Sequence, residues 1–365
     1  MNTFGIYLHI PFCRKKCPYC DFYSKRGNEI EYEKYTAETL KKIISWSNLC
    51  NKKVTSIYFG GGTPSVVGAE RLCAMLDQIK KQFCVDENAE VTCEVNPESG
   101  KGLDFELMRK TGFNRISVGL QSADENELKA LGRIHTAEEA RLTAKLASQA
   151  GINNISFDLM MGIPFQTLES LKYSIDFCAD CGVTHISSYL LKIEKGTKFF
   201  TLKDKLPLSD DDIQADLYLN AVDELERRGY AQYEISNFAK PGYEGKHNIN
   251  YWKCGEYIGI GSSAHSFFDG KRFYYERNIQ DYYDRKIVDD GTGGDSREYI
   301  MLSLRLKEGL VFSEFERRYA FPVHPATIQK IKNFAKHGFM ELDSEHACFT
   351  KKGFLVSNSI ISELI

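Results

Sequence analysis

His9-Ile10-Pro11-Phe12-Cys13-Arg14-Lys15-Lys16-Cys17-Pro18-Tyr19-Cys20-Asp21-Phe22 is the stretch on which the reading of this chain turns. Three cysteines spaced C-x₃-C-x₂-C on a short irregular loop are the ligand type that iron–sulfur clusters take. A cubane has four irons, so Cys13, Cys17 and Cys20 leave one iron open to chelate a small molecule. The bland alternative is a structural zinc site completed by His9. It lacks the paired ligand spacing usual for zinc, and strand alternation would have to bring His9 round. Arg14, Lys15 and Lys16 either set positive charge beside an anionic cluster or form a solvated face.

Outward from this loop, short β-branched and aromatic runs alternate with amphipathic stretches. Strands are expected at 6–10, 56–59, 90–94, 115–118, 155–159 and 185–190, and helices at 30–49, 69–82, 105–110, 137–150 and 168–181. Such alternation gives an α/β fold with a parallel sheet and crossover helices. Periodicity alone leaves a barrel and a doubly wound sheet open. Cys13, Gly60-Gly61-Gly62, Glu94, Gln121 and Asp158 all fall at or just past strand ends, which converge on one face in a barrel. We therefore expect a partial (βα)6 TIM-like barrel over residues 1–228, closed by a helix at 210–228. Residues 229–290 read as a less regular connector, rich in aromatics and glycine. Gly291-Thr292-Gly293-Gly294 reads as a linker. Beyond it, helices at 297–306, 313–319 and 325–337 and strands near 339–342 and 347–350 suggest a small winged-helix-like domain over 291–365.

Composition narrows the class. At 365 residues the chain is long enough for a large core plus a smaller domain. Its 42% apolar and 27% charged residues are those of a globular protein. A net charge of −3 gives no basic excess for nucleic acid. Residues 1–12 lack a signal-peptide pattern, and no run of about 18 apolar residues could span a bilayer. The expectation is a cytoplasmic protein whose 11 cysteines serve metal binding or stay as core thiols. Cys178 and Cys181 form a C-x₂-C pair inside an expected helix and read as core. Cys50, Cys73, Cys84, Cys93 and Cys348 lack any partner pattern.

The cysteine loop, followed after the second strand by Gly60-Gly61-Gly62-Thr63-Pro64, resembles the radical S-adenosylmethionine (SAM) superfamily. The resemblance implies a [4Fe–4S] cluster on Cys13, Cys17 and Cys20 and a SAM site with Gly61, Gly62 and Thr63 on its glycine-rich turn. It extends to Glu94, Gln121, Arg133 and Asp158, with Tyr7 and Tyr19 near the cluster and adenine. Arg133 suits a carboxylate through its fork of donors. Glu94, Gln121 and Asp158 suit an ammonium and ribose hydroxyls.

Three further motifs narrow the resemblance: His9-Ile10-Pro11-Phe12-Cys13, Gly132-Arg133-Ile134-His135 and Asp158-Leu159-Met160-Met161-Gly162-Ile163-Pro164. They are similar to the branch that holds oxygen-independent coproporphyrinogen III oxidase and the HemW heme chaperones, over nearly the whole chain. Two features oppose the oxidase. Phe22 stands where its motif has a fourth cysteine, and 12 residues precede Cys13 where it carries a long extension. His247-Asn248-Ile249-Asn250-Tyr251-Trp252 is similar to the HNxxYW motif of the chaperones. There His247 is the candidate heme ligand, Asn248 its orienting neighbour, and Tyr251 and Trp252 surfaces for the porphyrin. His265 and Cys254 are rival ligands.

The resemblance implies heme as cargo and a heme-accepting apoprotein of a respiratory complex as partner. A homodimer and a peripheral membrane contact through the acceptor are also implied. The alternatives are oxidative decarboxylation of coproporphyrinogen III and radical modification of RNA or protein.

Overall fold

Six parallel strands succeed one another in chain order: β1 (Thr3–Ile10), β2 (Lys53–Gly61), β3 (Val85–Val95), β4 (Arg115–Gln121), β5 (Asn154–Met161) and β6 (His185–Leu190). The computed structural model describes residues 3–48 and 50–365. Every residue of β4 is buried, as expected of a parallel strand covered on both faces. In β1 the alternation is sharp. Phe4 meets Phe83 and Phe268 on one face, while Tyr7 meets Tyr58 and His247 on the other.

Crossover helices Glu29–Ser47, Ala69–Gln82, Phe105–Thr111, Ala137–Gln149 and Leu168–Asp180 separate the strands. Side-chain caps fix several of their starts: Asn28 with Glu31, Thr136 with Glu139, and Thr167 with Ser170 form reciprocal capping boxes. The expected first helix was drawn to residue 49, which lies outside the described residues. Cys178 sits buried in its helix and Cys181 at the C-cap.

The segment expected as an irregular connector is corrected. It supplies β7 (Ala231–Gln232), β8 (Asn237–Ala239), β9 (Tyr257–Ile260), β10 (His265–Phe268) and β11 (Lys271–Tyr275) to the same sheet. The expected linker is likewise corrected, because Gly291 and Thr292 end a strand, β12 (Ile287–Thr292). The sheet thus has twelve strands, ordered β12-β11-β10-β9-β1-β2-β3-β4-β5-β6-β8-β7. β9 pairs parallel with β1, and β8 pairs antiparallel with β6. Both outer edges of the six-strand array are covered by chain from beyond the barrel.

The C-terminal domain has helices Ser296–Ser303, Phe312–Tyr319 and Pro325–Lys336. Its sheet is three-stranded rather than two-stranded, ordered β13 (Leu310–Val311), β15 (His346–Phe349), β14 (Met340–Leu342). Helices Lys351–Leu355 and Ser357–Leu364, not anticipated, bury Phe354, Ile360, Ile361 and Leu364. Ile235 N donates to Arg305 O at 2.9 Å, Lys307 N to Tyr233 O at 2.9 Å, and Lys351 pairs with Asp223 and Glu226 at 2.7 Å. These bonds fasten the domain to the barrel.

Candidate cofactor site

The carboxyl ends of the parallel strands surround a cavity of ≈ 560 Å³, within the range of small-molecule sites. Cys13, Cys17, Cys20 and Tyr19 line it from the loop after β1, and Gly61, Gly62 and Thr63 from the turn after β2. Glu94, Gln121, Arg133 and Asp158 line it too. Residues expected on five successive strand ends therefore do meet in one place.

Backbone bonds shape the cysteine loop. Cys13 N donates to Lys25 O at 3.0 Å, Lys25 N to Pro11 O at 2.9 Å, and Cys20 N to Cys17 O at 3.1 Å. The glycine turn is strapped to the same segment: Gly62 N donates to Ile10 O at 2.9 Å and Thr63 N to Phe12 O at 2.7 Å. A Cβ on Gly62 would stand 2.7 Å from Phe12 O and 2.8 Å from Ile10 O. One on Gly61, whose φ is 107°, would stand 2.5 Å from the His9 ring. These glycines are needed to bring the two loops together as well as to admit a ligand.

His9 is turned away from the cysteines. Its Nε2 donates to Tyr23 O at 2.9 Å and its Nδ1 accepts from Tyr7 Oη at 3.1 Å. Burial pushes its pKa down to about 4. Both ring nitrogens are spent, so the zinc alternative loses its fourth ligand. Among the described residues no three His, Cys, Asp or Glu side chains gather closely enough for a lone ion.

A chain of hydrogen bonds joins two of the cysteines. Thr63 Oγ1 donates to Cys13 Sγ at 3.4 Å, Asn96 Nδ2 to Thr63 Oγ1 at 2.9 Å, and Arg133 Nη2 to Asn96 Oδ1 at 2.8 Å. Arg133 closes it through Nη1 to Cys17 Sγ at 3.4 Å. Arg133 Nη2 also reaches Gly119 O at 3.0 Å, yet its buried Nε has no partner. An unpartnered buried donor in a cofactor-sized cavity is costly and fits an anionic ligand group. Burial pushes the Cys20 thiol up to about 11 and raises that of Cys13, so iron would bind by displacing protons.

Across the cavity stand two carboxylates. Burial, and then the charge of Asp158, push Glu94 up to about 7, and burial also raises Asp158. Glu94 accepts from Tyr58 Oη at 2.8 Å and from Gly61 N at 3.2 Å, and Asp158 from Ser117 Oγ at 3.1 Å. Gln121, at a left-handed φ of 72°, accepts from Tyr189 Oη at 3.0 Å. A thiol triad, an arginine with a spare donor, and carboxylates aimed at one space fit a cluster with an amino acid–nucleoside ligand. Sequence reasoning missed Asn96, Tyr58, Ser117 and Tyr189 as supporting residues. Asn96 was visible two residues after Glu94, and Tyr58 at the inward alternation before the glycines.

The remaining expected residues lie elsewhere. Tyr7 is beneath the cavity, stacked on Tyr58 at 6.2 Å, and does not line it. On the helix Lys246–Trp252, only Asn248 of the four expected heme contacts lines the cavity. His247 is buried, with Nδ1 2.8 Å from Ser56 Oγ and Nε2 2.7 Å from Tyr251 Oη. It has no free nitrogen, and burial followed by the Arg115 charge lowers its pKa to about 3. Trp252 Nε1 donates to Glu234 Oε2 at 2.7 Å. In this arrangement His247, Tyr251 and Trp252 are knit into the protein, and His247 presents nothing to an external iron.

Comparison with known proteins matches this geometry. The model of the Radical SAM superfamily matches residues 7–178, and that of the HemN C-terminal domain matches residues 296–356. The heme chaperone HemW of Escherichia coli is 39% identical over 274 residues, 73% of this chain and 71% of its own. The chain belongs to the HemW family of the radical SAM superfamily. Family members from Haemophilus influenzae (35% over 338 residues, 86% of this chain and 85% of its own) and Mycobacterium tuberculosis (30% over 381 residues, 100% and 95%) extend the match. Coproporphyrinogen III oxidase (HemN) from Escherichia coli shares the fold. Its TM-score is 0.84 at 20% identity, over 99% of this chain and 89% of that one. The partial barrel and small C-terminal domain are thus those of radical SAM proteins.

Proposed function

We propose that this protein binds heme and hands it to a heme-accepting apoprotein, with a [4Fe–4S] cluster and SAM as resident cofactors. The observation that carries the reading is the 39% identity to a heme chaperone over 73% of the chain. Cys13, Cys17 and Cys20 would hold the cluster, and Arg133, Glu94, Gln121 and Asp158 the SAM. When bound, the cluster supplies one-electron chemistry to its SAM. The chain's own work is positional. Thr63, Asn96 and Arg133 hold the cysteine loop in one arrangement, and the Gly61–Gly62 turn presses against its base.

The acceptor is a respiratory apoprotein, met in the cytoplasm or at a membrane surface, and a homodimer is the working oligomer. No helix among the described residues is long and apolar enough to cross a membrane. Phe22, at the position of the oxidase's fourth cysteine, weighs against coproporphyrinogen chemistry.

The test uses full-length protein reconstituted anaerobically, titrated with heme, then mixed with a defined apo-acceptor. Heme binding followed by transfer supports the reading. Failure to bind heme, or catalytic formation of protoporphyrinogen IX from coproporphyrinogen III with SAM and reductant, overturns it.

A further inference from the structure

Arg133 lines the cofactor cavity, and His135, two residues on in Gly132-Arg133-Ile134-His135, does not. The burial of this motif is inverted. Ile134 is 51% exposed, whereas His135 is 3% exposed. An apolar side chain left in water beside a buried imidazole points to a specific use for the ring.

The ring's partner is the backbone of β4. His135 Nε2 donates to Leu120 O at 3.1 Å, next to Gly119 O, which accepts from Arg133 Nη2 at 3.0 Å. Two side chains of one segment thus hold successive carbonyls at the end of one strand. There the pairing of β4 with β5 shifts register between Val118 and Gln121, and Gln121 takes its left-handed φ of 72°. A bulge beside a site re-aims a side chain, and a left-handed glutamine persists only where its neighbours hold it. Gln121 and Arg133 both line the cavity. His135 holds the carbonyl just before the first and is carried on the segment of the second.

The same segment is clasped to the cysteine loop. Lys15 Nζ donates to Gly132 O at 3.1 Å and Arg14 Nη1 to Glu98 O at 3.1 Å. Glu98 in turn faces His135, its Oε2 3.9 Å from Nδ1. Burial, then the charge of Arg133, push the His135 pKa down to about 4, so near neutrality the ring carries one proton. The bond to Leu120 O places that proton on Nε2 and leaves Nδ1 a bare acceptor. Neither Nδ1 nor Glu98 Oε2 has a hydrogen-bond partner among the described residues. Leaving buried acceptors unsatisfied is costly. A leucine here would remove the Nδ1 penalty; what only the imidazole supplies is the Nε2 bond.

We infer that His135 is a positioning residue for SAM: through Leu120 O it fixes Gln121 and the Arg133 segment in the geometry that receives the ligand. This rests on the SAM-binding reading of the cavity and deepens it, since His135 acts from outside the site.

Full-length wild-type, His135→Ala, His135→Asn and His135→Gln proteins are reconstituted anaerobically, and SAM affinity, iron and sulfide content and melting temperature are measured for each. A glutamine amide nitrogen can stand where Nε2 stands, whereas that of asparagine stops at the place of Nδ1. His135→Ala and His135→Asn are therefore expected to weaken SAM binding about tenfold, the scale of one positioning hydrogen bond, with iron and sulfide unchanged. His135→Gln is expected to stay within about threefold of wild type, a rescue that simple filling of space would not give. Should His135→Ala fail to fold, the asparagine and glutamine variants decide. Wild-type SAM affinity in His135→Asn overturns the inference, and so does a loss in all three variants that follows falling cluster content or stability. Absence of SAM binding by the wild type overturns the cofactor reading itself.

Discussion

His247 and Asn248 are neighbours in the chain but face different surroundings. Asn248 lines the cofactor cavity, whereas His247 is buried between Ser56 and Tyr251. One ring separates the two environments. Tyr58 stacks on His247 at 5.2 Å and donates to Glu94 at 2.8 Å. The seven-residue helix is thus part of the floor beneath the cofactor site.

Replacing His247 with alanine leaves Ser56 Oγ and Tyr251 Oη unpartnered and opens a cavity. The expected loss is about 2–4 kcal/mol of stability, read as a lower melting temperature. Protein that remains folded should keep its heme spectrum. A His247→Ala protein of wild-type stability would contradict the buried packing described above.

Gly62→Ala would drive a methyl group into Phe12 O and Ile10 O. The glycine turn or the cysteine strand must move, at a cost of about 1–3 kcal/mol. Iron and sulfide bound per chain after anaerobic reconstitution should fall well below wild type. Gly102, whose Cβ would meet nothing within 4 Å, is the control position: its alanine variant should load normally.

SAM affinity should rise with pH across neutrality. Glu94 is held up to about 7 by burial and by Asp158, so it is largely neutral at pH 6 and ionised at pH 8. A cationic ammonium prefers the ionised form. Equilibrium dialysis should show tighter binding at pH 8 than at pH 6, and Glu94→Gln should flatten the profile.

Glu234 sets a second pH dependence, in stability. Burial raises its folded pKa from 4.5 to about 7. A raised carboxylate pKa contributes stability that is fully present below the unfolded value and is lost as pH rises through the folded one. The contribution should therefore decline between about pH 4.5 and 7, by at most about 3 kcal/mol. Denaturant titrations at a series of pH values should show this fall, and Glu234→Gln should remove it.

The barrel was legible because its signals are local. Buried parallel strands read as apolar runs, and the crossover helices carry their own caps and amphipathic spacing. The helix at 69–82 and the strand at 185–190 matched the structure at both ends. The outer strands were not legible. β7 and β8 have two and three residues, and what makes them strands is the waiting edge of β6. The cavity-lining residues were visible as polar groups at strand ends. The surroundings of His247 were not legible for a physical reason: a histidine among aromatics looks the same in sequence whether it ligates iron or fills a core. Its deciding partner, Ser56, is 191 residues away. Tyr7 shares a face with His9 but lies one residue pair lower on β1, short of the cavity.

The closing of both sheet edges by late-sequence strands bears on how the protein is made. Translation delivers β1 to β6 first, and their outer partners, β8 and β9, arrive only with residues 237–260. Until then the nascent barrel carries two bare edges able to pair with other chains. Ribosome stalling or truncation before residue 260 should therefore yield aggregation-prone product, and the growing polypeptide needs shielding during that interval.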